Sequence, residues 1–300
     1  MKAIVNTPHG PAITVVDDPR PGTGEALVAV RAFSVNRGEL ALLQARTDGW
    51  RPGQDIAGVV VEPAADGSGP AAGTRVTALA EQAGWAELAA VPADRLAALP
   101  AEVSTEQAAA LPMAGLTALR TLRLAGDLLG RRVLVTGASG GVGRMQVQLA
   151  AAAGAEVTAV AKPEHAKELL ALGASAVPPD PEAADGLYHL IADWVGGSSL
   201  TAGLAKVTPG GTIVLASGST EKTPLNVYDF IGHENARIIG YLSYAYPEPP
   251  GPDLTTLANM VAVGRLDPGV NLTLPWTQLQ DALAALAGRR ISGKAVLTVG

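Results

Sequence analysis

Val133-Leu134-Val135-Thr136-Gly137-Ala138-Ser139-Gly140-Gly141-Val142-Gly143 decides how the rest of the chain is read. Arg132 to Val135 is a short, mostly apolar run of the kind buried on both faces of a parallel sheet. Ala138-x-Gly140-x-x-Gly143 then fits G-x-G-x-x-G with alanine in the first place. Val142, Met145, Leu149 and Ala152 follow at helical spacing, so the loop opens a helix. Glycines are needed where backbone must turn tightly and approach a pyrophosphate, whose charge rests on the N–H groups of a helix start. Between a strand and a helix, the stretch reads as a dinucleotide cradle.

The next strand runs from Glu156 to Ala161. Chains that bind NAD carry an acid about 20 residues past the glycines to hold the ribose 2′-hydroxyl. Here that place holds Lys162, followed by Pro163 and, nearby, Lys167. A cation without the acid suits a 2′-phosphate, so the expected cofactor is NADPH.

Three hundred residues, 48% of them hydrophobic, suffice for two cored domains. The net charge of −6 argues against nucleic acid or an anionic membrane as partner. With no cysteine, disulfides, thiolate catalysis and thiolate-held zinc are excluded. Met1-Lys2-Ala3-Ile4-Val5 enters a strand without the features of a signal peptide, and no apolar run approaches the ~18 residues of a spanning helix. The expected location is cytoplasmic.

The first hundred residues are β-rich: Glu25–Val35 alternates, and Ile56–Glu62 and Thr74–Leu79 are further strands, separated by Pro/Gly turn clusters. Ser104 with Gln107 has capping-box spacing, and Ala-rich helix follows to Gly126. From Arg132 strands alternate with helical pieces. The expected strands are Val157–Ala161, Ala174–Val177, Tyr188–Ala192, Thr212–Ala216 and Arg237–Leu242, which together make a doubly wound parallel sheet. Thr277–Gly288 is a last helix and Ala295–Val299 a last strand.

With these pieces placed, the chain resembles the medium-chain dehydrogenase/reductase superfamily, in its zinc-independent quinone oxidoreductase and enoyl reductase-like branch. The matching stretches include Ser34-Val35-Asn36-Arg37-Gly38-Glu39, Pro52-Gly53-Gln54-Asp55-Ile56-Ala57-Gly58-Val59-Val60, Gly73-Thr74-Arg75-Val76 and Gly84-Trp85-Ala86-Glu87. Leu111-Pro112-Met113-Ala114-Gly115-Leu116-Thr117-Ala118, the glycine loop, Asp193-Trp194-Val195-Gly196-Gly197, Pro209-Gly210-Gly211 and Gly293-Lys294-Ala295-Val296-Leu297 continue them in order. The resemblance implies an α/β architecture: a GroES-like β-rich catalytic domain from residues 1–112 and 248–300, and a Rossmann domain from 113–247. It also implies that Asn36 and Thr117 lie beside the nicotinamide, and that Ser139, Gly140, Gly141, Val142 and Gly143 hold the pyrophosphate. Lys162 would meet the 2′-phosphate. Val195, Gly196, Ser217 and Gly218 fall at carboxyl ends of strands, where ligands bind such sheets. Lys294, in the terminal Gly-Lys pair, would lie near the cofactor.

Departures from the family pattern carry information too. Zinc-dependent relatives surround a metal with Cys and His; here the four histidines are scattered. Gly232-His233-Glu234 imitates a zinc triplet but reads as a surface turn, so no metal is expected. Some enoyl reductases of the branch carry a proton-donating tyrosine where Asp48-Gly49-Trp50-Arg51-Pro52 here offers Trp50, an indole that donates a hydrogen bond and not a proton. Pro178-Pro179-Asp180-Pro181 replaces a longer helical connection, so one crossover should be rudimentary.

The implied reaction is hydride transfer from NADPH to a small apolar carbonyl compound: a quinone, enone or enal. The ribose 2′-hydroxyl, a backbone N–H and Asn36 are the candidate hydrogen-bond donors to the substrate oxygen; Trp50 and Tyr241 are the further catalytic candidates, with Tyr244 and Tyr246 beside the latter. In the family the last Rossmann strand commonly pairs across a twofold axis, which implies a homodimer. The alternative is a redox-neutral cyclase or isomerase, or a non-catalytic NADPH-binding protein on the same fold, since fold does not fix chemistry.

Overall fold

The computed structural model describes residues 1–46, 48–216 and 221–300. They form two units, Met1–Leu116 with Pro247–Gly300, and Thr117–Tyr246. The chain opens with β1 (Lys2–Thr7), β2 (Gly10–Val15), β3 (Glu25–Val35), α1 (Arg37–Ala45), β4 (Asp55–Glu62), β5 (Arg75–Leu79), β6 (Leu88–Pro92) and β7 (Leu96–Ala98). Then come α2 (Thr105–Ala110), α3 (Pro112–Arg123), β8 (Arg132–Val135), α4 (Gly141–Ala152), β9 (Glu156–Ala159) and α5 (Ala166–Ala171). They are followed by β10 (Tyr188–Asp193), α6 (Ser198–Leu204), β11 (Val207–Leu215) and β12 (Arg237–Gly240). α7 (Gly251–Ala262), β13 (Val270–Pro275), α8 (Leu279–Ala287) and β14 (Lys294–Thr298) complete the first unit.

That first unit is the GroES-like one. β1 and β2 form a hairpin, and a seven-stranded sheet runs β13-β14-β3-β4-β5-β7, with β6 also on β3. β3 organises it. Its first half alternates buried with half-buried positions; its last four residues, Ala32 to Val35, are all buried. There β3 lies between β4 and β14. Phe33 stacks on Trp85 at 5.4 Å and meets Trp276 edge-on at 6.5 Å. Trp85 is fully buried, and deleting such a ring costs ~3–5 kcal/mol. This centre therefore holds the carboxyl end of β3 rigidly where Asn36 leaves it.

The second unit is the doubly wound one. Five strands, all parallel, are ordered β12-β11-β10-β8-β9. From β8 the chain goes to β9 on one side and then to β10 on the other, so the switch point lies between β8 and β10. Crevices outside the carboxyl ends at such a point are where open α/β sheets bind ligands.

The strand expected at Ala174–Val177 is not formed. Only a parallel bridge, Thr158 to Ala176, marks its place. The physical reason follows in sequence: prolines at 178, 179 and 181 supply no N–H for a ladder, and residues 178–187 contain only turns and bends. The crossover is rudimentary, as read. Expected boundaries shift elsewhere by a few residues, most at β11, which starts at Val207 rather than Thr212. Among the described residues no helix is long and apolar enough to cross a membrane.

Candidate functional site

Each unit carries a polar centre. In the Thr117–Tyr246 unit it is the pair of loops after β8 and β10. Gly137 leaves β8 with φ +58°, the left-handed conformation that glycine adopts at no steric cost. The tight turn therefore falls one residue before the alanine that stands for the first glycine of the pattern. α4 starts at Gly141 with Gly140 as its N-cap. A Cβ on Gly143 would lie 2.6 Å from the Gly137 carbonyl oxygen and 2.7 Å from the Ala138 Cα. Helix and loop meet there backbone to backbone, which is the task of the third glycine. Ser139, Gly140, Gly141 and Val142 are half-buried along this loop. A glycine-rich loop running into a twelve-residue helix fits a pyrophosphate.

Asp193 ties the second loop to the first. It is fully buried at the end of β10. Its Oδ1 accepts from Thr136 Oγ1 (2.6 Å), Ser199 Oγ (3.0 Å) and the Val195 N–H (3.1 Å), and its Oδ2 from the Gly196 N–H (3.1 Å). Thr136 Oγ1 in turn accepts the Trp194 N–H at 3.1 Å. The two loops flanking the switch point are thus one hydrogen-bonded piece, from which Val195 projects at 43% exposure. Trp194 Nε1 donates to Gln146 Oε1 on α4 (2.8 Å), and Gln146 Nε2 to Thr121 Oγ1 on α3 (2.9 Å). Thr121 Oγ1 closes on the Thr117 carbonyl at 2.6 Å. Thr117 is buried one turn before it.

Lys162 stands beyond the carboxyl end of β9. Its side chain is 79% exposed, with Glu164 Oε1 3.9 Å away. Tyr241 follows β12 and is buried, its ring 6.1 Å from that of Tyr246, over which the Arg120 guanidinium lies at 4.1 Å. Ser217 and Gly218 lie outside the described residues. Gly232-His233-Glu234 is a turn in which Glu234 accepts the Gly232 N–H; that hydrogen bond holds the Glu234 carboxyl below the usual range.

The other unit's centre is ionic and buried. Asn36 N-caps α1, but its carboxamide turns to β4 and β14. Its Nδ2 donates to Asp55 Oδ2 (2.8 Å), and its Oδ1 accepts from Lys294 Nζ (2.5 Å). Lys294 Nζ also reaches Asp55 Oδ2 at 3.2 Å. Asp55 further accepts Ser34 Oγ (2.6 Å) and the Met113 N–H at the start of α3 (2.7 Å). Asp55 and Ser34 are fully buried and Lys294 nearly so. Glu39 completes the group: its two oxygens accept the Asn36 N–H (2.8 Å) and the Gln54 N–H (3.0 Å). Burial first, and then the Asp55 carboxylate, push its carboxyl up to about 8.

Trp50 has a separate role. Its indole N–H donates to Gln82 Oε1 at 2.9 Å on the surface. Among the described residues no three His, Cys, Asp or Glu side chains converge as a metal site. Sequence reasoning missed Asp55, Glu39, Ser34, Gln146 and the hub role of Asp193. The available signals were the Asn36-x-x-Glu39 capping spacing and glutamine at a core-facing position of α4.

Residues 22–101 match the family described as "Alcohol dehydrogenase GroES-like domain", and residues 141–259 that described as "Zinc-binding dehydrogenase". The chain is 36% identical, over 291 residues, to "Spectinabilin polyketide synthase system protein NorB" of Streptomyces orinoci. That match takes in 92% of this chain and spans 13% of the relative's length. It is 29% identical to the mouse (Mus musculus) "NAD(P)H oxidoreductase RTN4IP1, mitochondrial", over 82% of this chain and 70% of that one. Among solved structures, the quinone oxidoreductase of Coxiella burnetii superposes with a TM-score of 0.85 at 25% identity, over 100% and 99% of the two chains.

Proposed function

The chain belongs to the medium-chain dehydrogenase/reductase superfamily, and from that premise we propose that it is an NAD(P)H-dependent oxidoreductase of the quinone oxidoreductase and enoyl reductase kind. The proposed cofactor is NADPH, the proposed acceptor a quinone or α,β-unsaturated carbonyl compound, and the reaction needs no zinc. One observation carries this reading: the loops after β8 and β10, bound together by Asp193 and Thr136, frame the switch point of a parallel sheet.

In this reading Ser139 to Gly143 hold the pyrophosphate, Val195 and Gly196 line the nicotinamide side with Thr117, and Lys162 pairs with the 2′-phosphate. Its exposure leaves Lys162 free to move onto a phosphate without breaking a buried contact. NADPH, when bound, supplies the hydride. The chain's part is placement and charge. The substrate oxygen gains negative charge as hydride arrives, and Asn36 Nδ2 is the donor assigned to meet it. Proton delivery is assigned to solvent, with Tyr241 the side chain to test against it; the Trp50 indole N–H is already engaged by Gln82.

A homodimer is proposed with it. β12 pairs only with β11 among the described residues, and Val227, Tyr228, Ile231 and Leu242 are each at least 70% exposed in the same unit. An open edge with apolar neighbours suits a second copy, a point that light scattering decides.

The function is tested by incubating the protein with NADPH and a panel of quinones and 2-alkenals while following the reduced nicotinamide band near ~340 nm. Turnover with at least one acceptor is expected. Tight NADPH binding without absorbance loss on any acceptor would assign the chain to redox-neutral or purely cofactor-binding roles.

A further inference from the structure

We propose that Lys294 and Asp55 are positioning residues for the Asn36 carboxamide, and that Lys294 serves this internal task rather than contacting the cofactor. The inference rests on the reading of Asn36 as the donor to the substrate oxygen.

The geometry is a closed triangle. Lys294 Nζ donates to Asn36 Oδ1 and to Asp55 Oδ2, and Asn36 Nδ2 donates to that same Asp55 oxygen. A carboxamide is nearly symmetric in shape, so packing alone does not choose between its two flipped states. Charge does. Flipped, Asn36 would turn its oxygen to the Asp55 carboxylate and its NH2 to the Lys294 ammonium, an acceptor against an acceptor and a donor against a donor. The burial of both ions, with Asp55 at 0% and Lys294 at 3% exposure, keeps water from relieving either clash. The carboxamide is therefore held in one state, with one Nδ2 proton given to Asp55 and the second left for a ligand.

Asp55 is in turn fixed from outside the triangle. Ser34 Oγ and the Met113 N–H bring it to four donors on two oxygens, from β3, α1's N-cap, α3 and β14. The ammonium of Lys294 is embedded between two residues of its own unit, whereas Lys162 reaches into solvent at 79% side-chain exposure. A cation meant for a mobile phosphate resembles Lys162. One meant to orient a neighbour resembles Lys294.

The test is a double-mutant cycle in the full chain. Lys294→Met should lower kcat for quinone reduction by roughly 10- to 100-fold, the range expected when a reacting group is misplaced. Its NADPH dissociation constant, from cofactor fluorescence, should stay within about threefold. In an Asn36→Ala background the Lys294→Met loss should shrink to less than about threefold, because a residue acting through Asn36 has nothing left to orient. A rise of about tenfold or more in the NADPH constant, with kcat kept at saturating cofactor, would make Lys294 a cofactor ligand and overturn the proposal. Equal losses in both backgrounds would overturn it as well.

Should Lys294→Met fail to fold, Ser34→Ala removes one Asp55 donor without changing charge and enters the same cycle. Nuclear magnetic resonance of the Asn36 side-chain amide gives a readout that needs no turnover. Its two proton signals should be widely separated in the wild type and converge in Lys294→Met or Ser34→Ala. If no acceptor is turned over by the wild type, the oxidoreductase reading fails while these signals still decide the positioning; unmoved signals in both variants would sink it.

Discussion

In the Thr117–Tyr246 unit the surface offered to a ligand is made of backbone: a left-handed Gly137, a Gly143 that leaves room for a carbonyl, and N–H groups at a helix start. In the other unit the polar centre is made of side-chain charge, with Asp55, Glu39 and Lys294 shut away under α1 and the end of β3. The two should respond to change in different currencies. The first is sensitive to volume; the second tolerates little loss of charge balance, and burial has raised its Glu39 carboxyl. What separates them is how a buried negative charge is met, by dipoles fixed in the chain or by a partner ion.

The largest effect should come from Glu39. Its carboxyl is raised from 4.5 to about 8, so the folded state holds a proton that the unfolded chain gives up. Its contribution to stability is present below about pH 4.5 and is lost as pH rises through about 8. At ~1.36 kcal/mol per unit that amounts to about 5 kcal/mol between those limits. Glu39→Gln cannot titrate. The gap in urea stability between wild type and variant should therefore move in the variant's favour from pH 5 to pH 9, whatever the fixed cost of replacing an acceptor with an NH2. A gap that stays constant across this range would show that the carboxyl is not coupled to its neighbours.

Next is Gly143→Val, which attacks the backbone-built centre. The added Cβ meets backbone at 2.6 and 2.7 Å, atoms that cannot swing aside. Displacing the loop should weaken NADPH binding by about 100-fold, the affinity equivalent of ~1–3 kcal/mol of overpacking concentrated on the cradle. The loss should be the same at pH 6 and pH 9. Circular dichroism and thermal melting establish that the variant is folded. Retained affinity in a folded variant would remove the cradle from the proposed site.

How much of this was legible follows the same division. The glycine loop could be read because backbone geometry demands particular residue types at fixed spacing along one stretch of chain. The doubly wound sheet followed from it and from the alternation of strands and helices after it, while the rudimentary crossover was read from Pro178–Pro181 against the family pattern. The ionic centre could not be read. Ser34, Asn36, Asp55, Met113 and Lys294 come together only through the register of β14 on β3 and of β3 on β4, and nothing local marks them as partners. Asn36 and Lys294 were given roles through resemblance alone; Asp55 and Glu39 stood in the matching stretches with no role assigned. The strand expected at Ala174–Val177 failed for a different reason: its apolar pattern was real, but the prolines after it left too few N–H groups to extend a bridge into a strand.

A smaller effect is expected at Lys162, where the second unit does use a side-chain charge, though a solvated one. A hydrogen bond to a charged group contributes ~1.5–3 kcal/mol, and exposure with salt screening pushes this to the lower end. Lys162→Ala should thus weaken NADPH by about tenfold and leave NADH nearly unchanged. The difference should shrink as salt is raised, unlike anything at the buried Lys294. Equal loss for both cofactors would refute the 2′-phosphate assignment.

The smallest effect should be at Trp50, which tests where the ionic centre ends. The indole N–H is spent on Gln82 at the surface, and an exposed neutral hydrogen bond contributes at most ~0.5–1.5 kcal/mol. Trp50→Phe should accordingly leave quinone reduction within about threefold, since a group that neither donates a proton nor orients Asn36 has no lever on the rate. Trp50→Tyr is the sharper variant. A phenol that reached the α-carbon of an enoyl thioester would raise its reduction toward the ~10²–10⁴-fold that general acids contribute. One that takes over the hydrogen bond to Gln82 would raise it several-fold at most. The second outcome is expected, with enoyl thioesters gaining more than quinones, because a quinone's oxygen is protonated by solvent whereas carbon protonation needs a placed donor. A wild type that already reduces enoyl thioesters efficiently, with Trp50→Phe equally active, would put the acid elsewhere, and Tyr241, buried beside Tyr246, would be the next side chain to change.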